Sequence, residues 1–273
     1  MFINYFRSNG SVGSINEKVL KSILEASLEA TADNDKVKVN CVRTIGNLMA
    51  LLTREHFDEK SWRVLFDKSI NSLHSNLLQN GVNSKVKWNI CYAMGVLMRN
   101  PVVFEEICEV KWQSIVFNDL CVVIKSSPNF KVRTNACVAI TAPSNRKNYE
   151  IHFMEIWSSL LMALEQSNNM TDFQEYKHRD NLQDQLCFAI CHFMKLMTSD
   201  DCIAMKNELF PLIDITKQNW TRVLNRQLPE FQDLLCSSCA NIKIVKENCK
   251  NVDQKNATQF LFDVFYESIE NEF

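Results

Sequence analysis

The residues best equipped for chemistry in this chain of 273 residues are its eleven cysteines and five histidines. Cys187, Cys191 and His192 sit close together on one apolar stretch, and Cys236-Ser-Ser-Cys239 has the two-residue gap that zinc ribbons use. A tetrahedral zinc site needs its ligands on tight turns so that they converge. Both segments instead read as continuous apolar helix, where a free cysteine acts as a small hydrophobe. His56, His74, His152, His178 and His192 show no HExxH spacing. A Cys–His nucleophile pair would form in space rather than in sequence, and no pattern selects one. The expectation is a non-enzymatic chain with no catalytic residue, no metal and no cofactor.

Glycine use says what kind of elements carry these residues. Five glycines are present, and the 178 positions after Gly95 have none. Phosphate cradles, dinucleotide fingerprints and tight hairpins all need glycine where backbone turns sharply or meets a ligand. A β-rich or dinucleotide-binding fold is therefore excluded from the expectation. The hydrophobic share of 46% and charged share of 23% suit a folded domain. Net charge is −2, without the basic excess of a dedicated nucleic-acid binder. The odd number of cysteines, many on apolar positions, predicts free thiols in a reducing compartment, cytoplasmic and/or nuclear. Met1–Arg7 holds no apolar stretch long enough for a signal peptide, and no run in the chain is long enough to span a bilayer.

The elements themselves repeat. Asp35-Lys-Val-Lys-Val-Asn-Cys-Val-Arg-Thr-Ile-Gly-Asn-Leu48 returns as Ser84-Lys-Val-Lys-Trp-Asn-Ile-Cys-Tyr-Ala-Met-Gly-Val-Leu97. It returns again as Phe130-Lys-Val-Arg-Thr-Asn-Ala-Cys-Val-Ala-Ile140, and more faintly from Asp180 to Ile190. The starts are 49, 46 and 50 residues apart (84−35, 130−84, 180−130). Such a period marks stacked helical repeats, in which each unit buries its apolar face on its neighbours. Three-to-four spacing of apolar residues places helices at 14–31, 36–53, 62–78, 85–99, 111–126, 131–141, 150–167, 172–198, 201–225, 230–247 and 254–271. Pro211 should kink or divide the ninth of these. The expectation is a mobile lead over 1–13 and one repeat domain over 14–273, with five or six helix pairs.

Within the block, Val37, Cys41, Ile45 and Leu48 share one face, as do Val86, Ile90, Ala93, Met94 and Leu97. Val132, Ala136, Ala139 and Ile140 follow, then Leu182, Leu186, Ala189, Ile190 and Phe193. Asp35, Ser84 and Asp180 are expected as helix caps, with Asn129 one place early in the third copy. The pattern Val-basic-x-x-small-x-x-Ala-aliphatic-Gly-x-Leu, followed almost throughout by Val86–Leu97, resembles the second helix of HEAT and armadillo repeats. The resemblance implies an all-α, right-handed α-α superhelix, an armadillo- or HEAT-like solenoid. It also implies a scaffold or adaptor that binds other proteins and carries no established active site. The alternatives are an importin-type transport adaptor, or a regulatory subunit of a larger, nucleic-acid-associated complex. A membrane, a nucleic acid or a small-molecule substrate is not expected as partner.

Three columns of the block could serve recognition. Lys36, Lys38, Lys85, Lys87, Lys131 and Arg133 occupy first turns, where cations oppose the helix dipole. Contacts between repeats, with acceptors or carboxylates such as Asp35, would compensate them. An anionic partner would do so as well. Asn40, Asn89, Asn135 and Gln185 form an amide column, read either as a link between helices or as a clamp on an extended peptide. Trp88 and Tyr92 lie one turn apart, away from the apolar stripe, with Arg43 equivalent to Tyr92. The candidate protein-binding surface is thus Lys38, Arg43, Lys87, Trp88, Asn89, Tyr92, Arg133 and Asn135. Ser144–Asn148 reads as a solvated basic loop. Helix 14–31 is apolar over a broad face, so it should be covered by a further repeat or a partner.

Overall fold

The computed structural model describes residues 16–105, 111–168 and 176–267. The expected lead over 1–13, Cys108 and the starts of the helices expected at 14–31 and 172–198 lie outside them, as does the end of the one expected at 254–271. The described residues are helical throughout and contain no strand. In order they form α1 (Glu17–Glu29), α2 (Asp35–Met49), α3 (Arg54–Asp58), α4 (Lys60–Leu78), α5 (Ser84–Met98), α6 (Val102–Glu105) and α7 (Trp112–Ser126). Next come α8 (Phe130–Ile140), a 3-10 segment (Arg146–His152), α9 (Phe153–Asn168), α10 (Tyr176–Leu196) and α11 (Cys202–Leu209). A 3-10 turn (Phe210–Leu212) leads to α12 (Ile213–Asn225), α13 (Pro229–Glu247) and α14 (Val252–Phe265). Pro211 divides the long helix expected at 201–225, because proline removes a donor and clashes with the preceding turn. Gly81, at φ 80°, makes the turn after α4, a conformation that costs other residues strain. The short α3 and α6 were not legible, since five and four residues give no period to read.

The chain divides into two compact units, Met1–Leu120 and Cys121–Phe273, with the boundary inside α7. In the first, α2 packs along α5, while α1 and α4 pack on each other and on that pair. α5 buries ten of its fifteen residues, so it is enclosed on most sides rather than on one stripe. Its partner is held very close. A Cβ built on Gly46 would lie 2.5 Å from the Ala93 Cα, so only glycine permits this approach. Val42 is fully buried, whereas Val37 and Cys41 are half-buried, which turns the first copy's stripe relative to the expected face. On α1 only Leu24 and Ser27 are buried, and Val19 and Ile23 are 49% and 42% exposed. The apolar face expected on that helix is therefore open.

In the second unit α8, α10 and α13 pack successively, and α9, α11, α12 and α14 lie against them. Trp157, Phe193, Trp220, Phe231 and Phe265 are all buried there, and Trp220 meets both Phe231 and Phe265 edge to face.

Side-chain hydrogen bonds tie each unit together, and most of the long-range ones join residues 41 to 56 apart. Trp62 Nε1 donates to Glu17 Oε1 at 2.6 Å, and His74 Nδ1 lies 2.8 Å from Asp119 Oδ2. Asn100 Nδ2 donates to the Leu52 carbonyl at 2.8 Å. In the second unit Trp157 donates to the Met205 carbonyl, Asn241 to the Met194 carbonyl and Trp220 to the Phe265 carbonyl, at 3.2, 3.0 and 2.8 Å. These six bonds span 45, 45, 48, 48, 47 and 45 residues.

Asn100 and Asn241 do the same work in the two units. Asn100 Nδ2 bridges the carbonyls of Met49 and Leu52 at the end of α2, and Asn241 Nδ2 those of Met194 and Met197 at the end of α10. The last four carbonyls of a helix lack partners within it. One amide from a later element satisfies two of them.

Candidate protein-interaction surface

The block starts one residue earlier than the repeat alone suggests. Its caps are Asn34, Asn83 and Asn129, not Asp35 or Ser84. Asn34 Oδ1 accepts from the backbone of Lys36 and Val37, Asn83 Oδ1 from Lys85 and Asn129 Oδ1 from Val132. Asparagine is among the best caps because its short amide reaches the open first-turn donors. Asp35 and Ser84 are the first helical residues. In the fourth copy α10 starts at Tyr176, so Asp180 lies inside the helix, paired with Arg179 at 3.0 Å. An asparagine before three of the four blocks was the available signal.

The amide column does not join adjacent helices by the bonds seen. Asn40, Asn89 and Asn135 each donate Nδ2 to the carbonyl four residues back, in Lys36, Lys85 and Lys131, at 3.2, 2.6 and 2.8 Å. The column is thus a device internal to each helix. Asn89 is buried and belongs to the packing rather than to an exposed surface, while Asn135 is half-buried.

The basic column splits between the units. Arg133 is buried: Nε donates to the Ile124 carbonyl in the last turn of α7 at 2.7 Å, and Nη2 reaches the Ala163 carbonyl at 3.5 Å. Burial lowers its pKa, and carbonyl acceptors take the place of water. Its placement on a binding surface is therefore corrected: the guanidinium closes the end of a helix. Gln183, the equivalent residue one copy later, is also buried and donates to Ser167 Oγ in the last turn of α9 at 3.1 Å. In the first unit Lys38 and Lys87 hold the same position but are only half-buried. No ion pair among the described residues involves Lys36, Lys38, Lys85 or Lys87, so the expected carboxylate contacts do not form there.

The aromatic column is assembled across α2 and α5. The Arg43 guanidinium lies 5.2 Å from the centre of the Tyr92 ring. Arg43 is exposed, Tyr92 is 38% exposed and Trp88 is half-buried. Arg43 meets Tyr92 and Gly46 meets Ala93, so both contacts advance in the same direction. The helices therefore run parallel, so their first turns, with Lys38 on one and Lys87 on the other, lie at the same end of the pair. Lys38, Arg43, Lys87, Trp88 and Tyr92 belong to one pair of helices. Arg133 and Asn135 lie on α8 of the other unit.

The remaining chemical candidates are packed away. Burial pushes the Cys191 thiol up to about 12 and raises that of Cys187, which makes both poor nucleophiles at neutral pH. His192 Nε2 lies 3.1 Å from the Pro143 carbonyl and 3.0 Å from the Tyr149 hydroxyl. Burial pushes its pKa down to about 4, against the carbonyl's opposing effect, so the imidazole is neutral. Among the described residues no three His, Cys, Asp or Glu side chains are grouped to hold a metal. The basic loop is not simply solvated either. Arg146 forms a two-pronged pair with Asp201 at 2.7 and 3.0 Å and covers the Phe153 ring at 4.0 Å. Among the described residues no helix is long and apolar enough to cross a membrane.

No family model and no solved structure matches the chain. A relative among the curated proteins is an uncharacterized protein of Dictyostelium discoideum, 29% identical over 164 residues. The match takes in 56% of this chain and 11% of that protein, so the chain spans only a small part of the relative's length.

Proposed function

We propose that the chain is a non-enzymatic, protein-binding scaffold whose HEAT-like repeats stack as a right-handed α-α solenoid. The observation that carries the reading is that most of its long-range side-chain bonds fall near the period of the block, between 41 and 56 residues apart. Six side-chain hydrogen bonds in two units join residues 45 to 48 apart, close to the spacing of the sequence block. A chain in which each element meets its counterpart one period away is a stack of repeats. The asparagine caps and the back-bonded amides recur with the same period and support the same reading. A stack of this kind works by presenting surface, and the Arg43–Tyr92 pair with Trp88 gives that surface exposed aromatic and guanidinium groups, the types that dominate binding energy at interfaces. An importin-type groove for basic cargo would need acidic residues where α2 and α5 carry lysines and an arginine.

The test is affinity capture from cell extract followed by mass spectrometry, comparing the wild type with Trp88→Ala/Tyr92→Ala and with Arg43→Ala. Specific partners should be lost from the variants while their melting curves stay cooperative. A partner set unchanged in all three proteins would remove α2 and α5 as the binding surface.

A further inference from the structure

Charge in this chain is sharply segregated. α2 and α5 together carry Lys36, Lys38, Arg43, Lys85 and Lys87 against the single carboxylate of Asp35, a net of +4 (5−1). The whole chain has a net charge of −2, so all other residues together carry −6 (−2−4). The helices are parallel neighbours, which places the lysines at the same end of the pair. Lys36 and Lys85 share the side of Arg43 and Tyr92, while Lys38 and Lys87 lie roughly 160° around their helices from Lys36 and Lys85. Lys36, Arg43 and Lys85 are exposed, and Lys38 and Lys87 are half-buried. Among the described residues no carboxylate pairs with these lysines, and at first-turn positions they oppose the helix dipole. Tyr92 has the Arg43 guanidinium over its ring.

From this juxtaposition we propose that the α2–α5 face binds an acidic linear segment of a partner protein, with an aromatic or large aliphatic residue set against Trp88 and Tyr92. The proposal rests on the protein-binding reading and adds the chemistry of the partner. Carboxylates along the segment meet Lys36, Lys85 and Arg43, where they offset both the mutual repulsion of these cations and the conflict of the lysines with the helix dipoles. The apolar residue supplies burial that charge alone does not, since exposed ion pairs are individually weak. A protein segment fits better than a nucleic acid. A short acidic segment matches the three exposed cations Lys36, Arg43 and Lys85, whereas a nucleic acid would need a longer basic track than this face offers.

The experiment is fluorescence anisotropy on the full chain with three labelled probes: an Asp/Glu-rich peptide containing Phe, its Lys/Arg-rich counterpart of equal length, and a single-stranded DNA oligonucleotide. The acidic peptide should bind, and its binding should weaken as salt is raised. Lys36→Glu/Lys85→Glu should weaken it about tenfold, as two charge reversals should together remove an energy worth one decade. Both positions are exposed, so folding is spared, and Lys38→Glu/Lys87→Glu, on the other side of the helices, should weaken it less. Preference for the basic peptide or the oligonucleotide overturns the proposal. So does acidic-peptide binding that ignores all four reversals. If no acidic peptide binds while Trp88→Ala/Tyr92→Ala still loses captured proteins, this proposal falls and the scaffold reading stands. If neither occurs, both fall.

Discussion

Replacing Gly46 with alanine sets two effects against each other. Alanine favours a helix interior by about 1 kcal/mol over glycine, so an exposed site would gain stability. Gly46 is not exposed. The new methyl would lie 2.5 Å from the Ala93 Cα and 2.6 Å from its Cβ. Carbon atoms rest about 3.5–4.0 Å apart, so α5 must move away from α2 by roughly 1 Å. The atom in the way is backbone, which cannot rotate aside as a flexible side chain would. Overpacking of this kind costs typically 1–3 kcal/mol, and the upper end applies because α5 is buried on most of its surface. The net loss for Gly46→Ala is about 2 kcal/mol, or about 4–8 °C in Tm. Differential scanning calorimetry with urea titration would measure it. Ala93→Gly in the same chain should rescue only partly, because it removes the methyl but leaves the Cα. A Gly46→Ala protein as stable as wild type, or more stable, would refute the close approach of the two helices.

Acid sensitivity should come in part from His192. Its unfolded imidazole protonates near pH 6.5, whereas burial holds the folded one near about 4. Between these values the unfolded chain binds more protons, so stability falls as pH falls, by about 3 kcal/mol over the window. Urea titrations from pH 7 to 4 should show this slope in wild type and a flatter one in His192→Asn, and equal slopes would contradict the assignment. Asn83→Ala and Asn129→Ala should each cost about 1 kcal/mol, while Ser84→Ala should cost little, as judged from thermal melts. A larger loss at Ser84 than at Asn83 would return the cap to the residue expected from the repeat. Asn241→Leu should cost about 1–3 kcal/mol because it leaves the carbonyls of Met194 and Met197 without their shared donor. Faster hydrogen exchange around the end of α10 would locate the effect, and unchanged exchange would speak against it.

Most helices were legible because apolar side chains at three-to-four spacing can be buried together only on a helix. Pro211 and Gly81 mark breaks by their own backbone chemistry. The pairing of Arg43 with Tyr92 was also within reach, because equivalent positions of neighbouring repeats fall side by side in a stack. The cap was read correctly at Asn129 and missed by one residue in the first two copies. The repeat drew attention to Asp35 and Ser84, and the asparagine before each looked like part of a turn.

The sequence by itself determined that this protein is helical, that its block recurs near every 48 residues, and which faces of those helices are apolar. These properties follow from local periodicity and need no knowledge of neighbours. Only the tertiary structure decided what identical columns do. Lys38, Lys87, Arg133 and Gln183 occupy one column, yet the first two stay half-open and the last two are sealed against helix ends. Arg146 and Asp201 likewise lie 55 residues apart, and nothing local in either segment announces their pairing. Burial and partnership are properties of the packed neighbourhood, and that packing separates the cations that close helices from those left half-open.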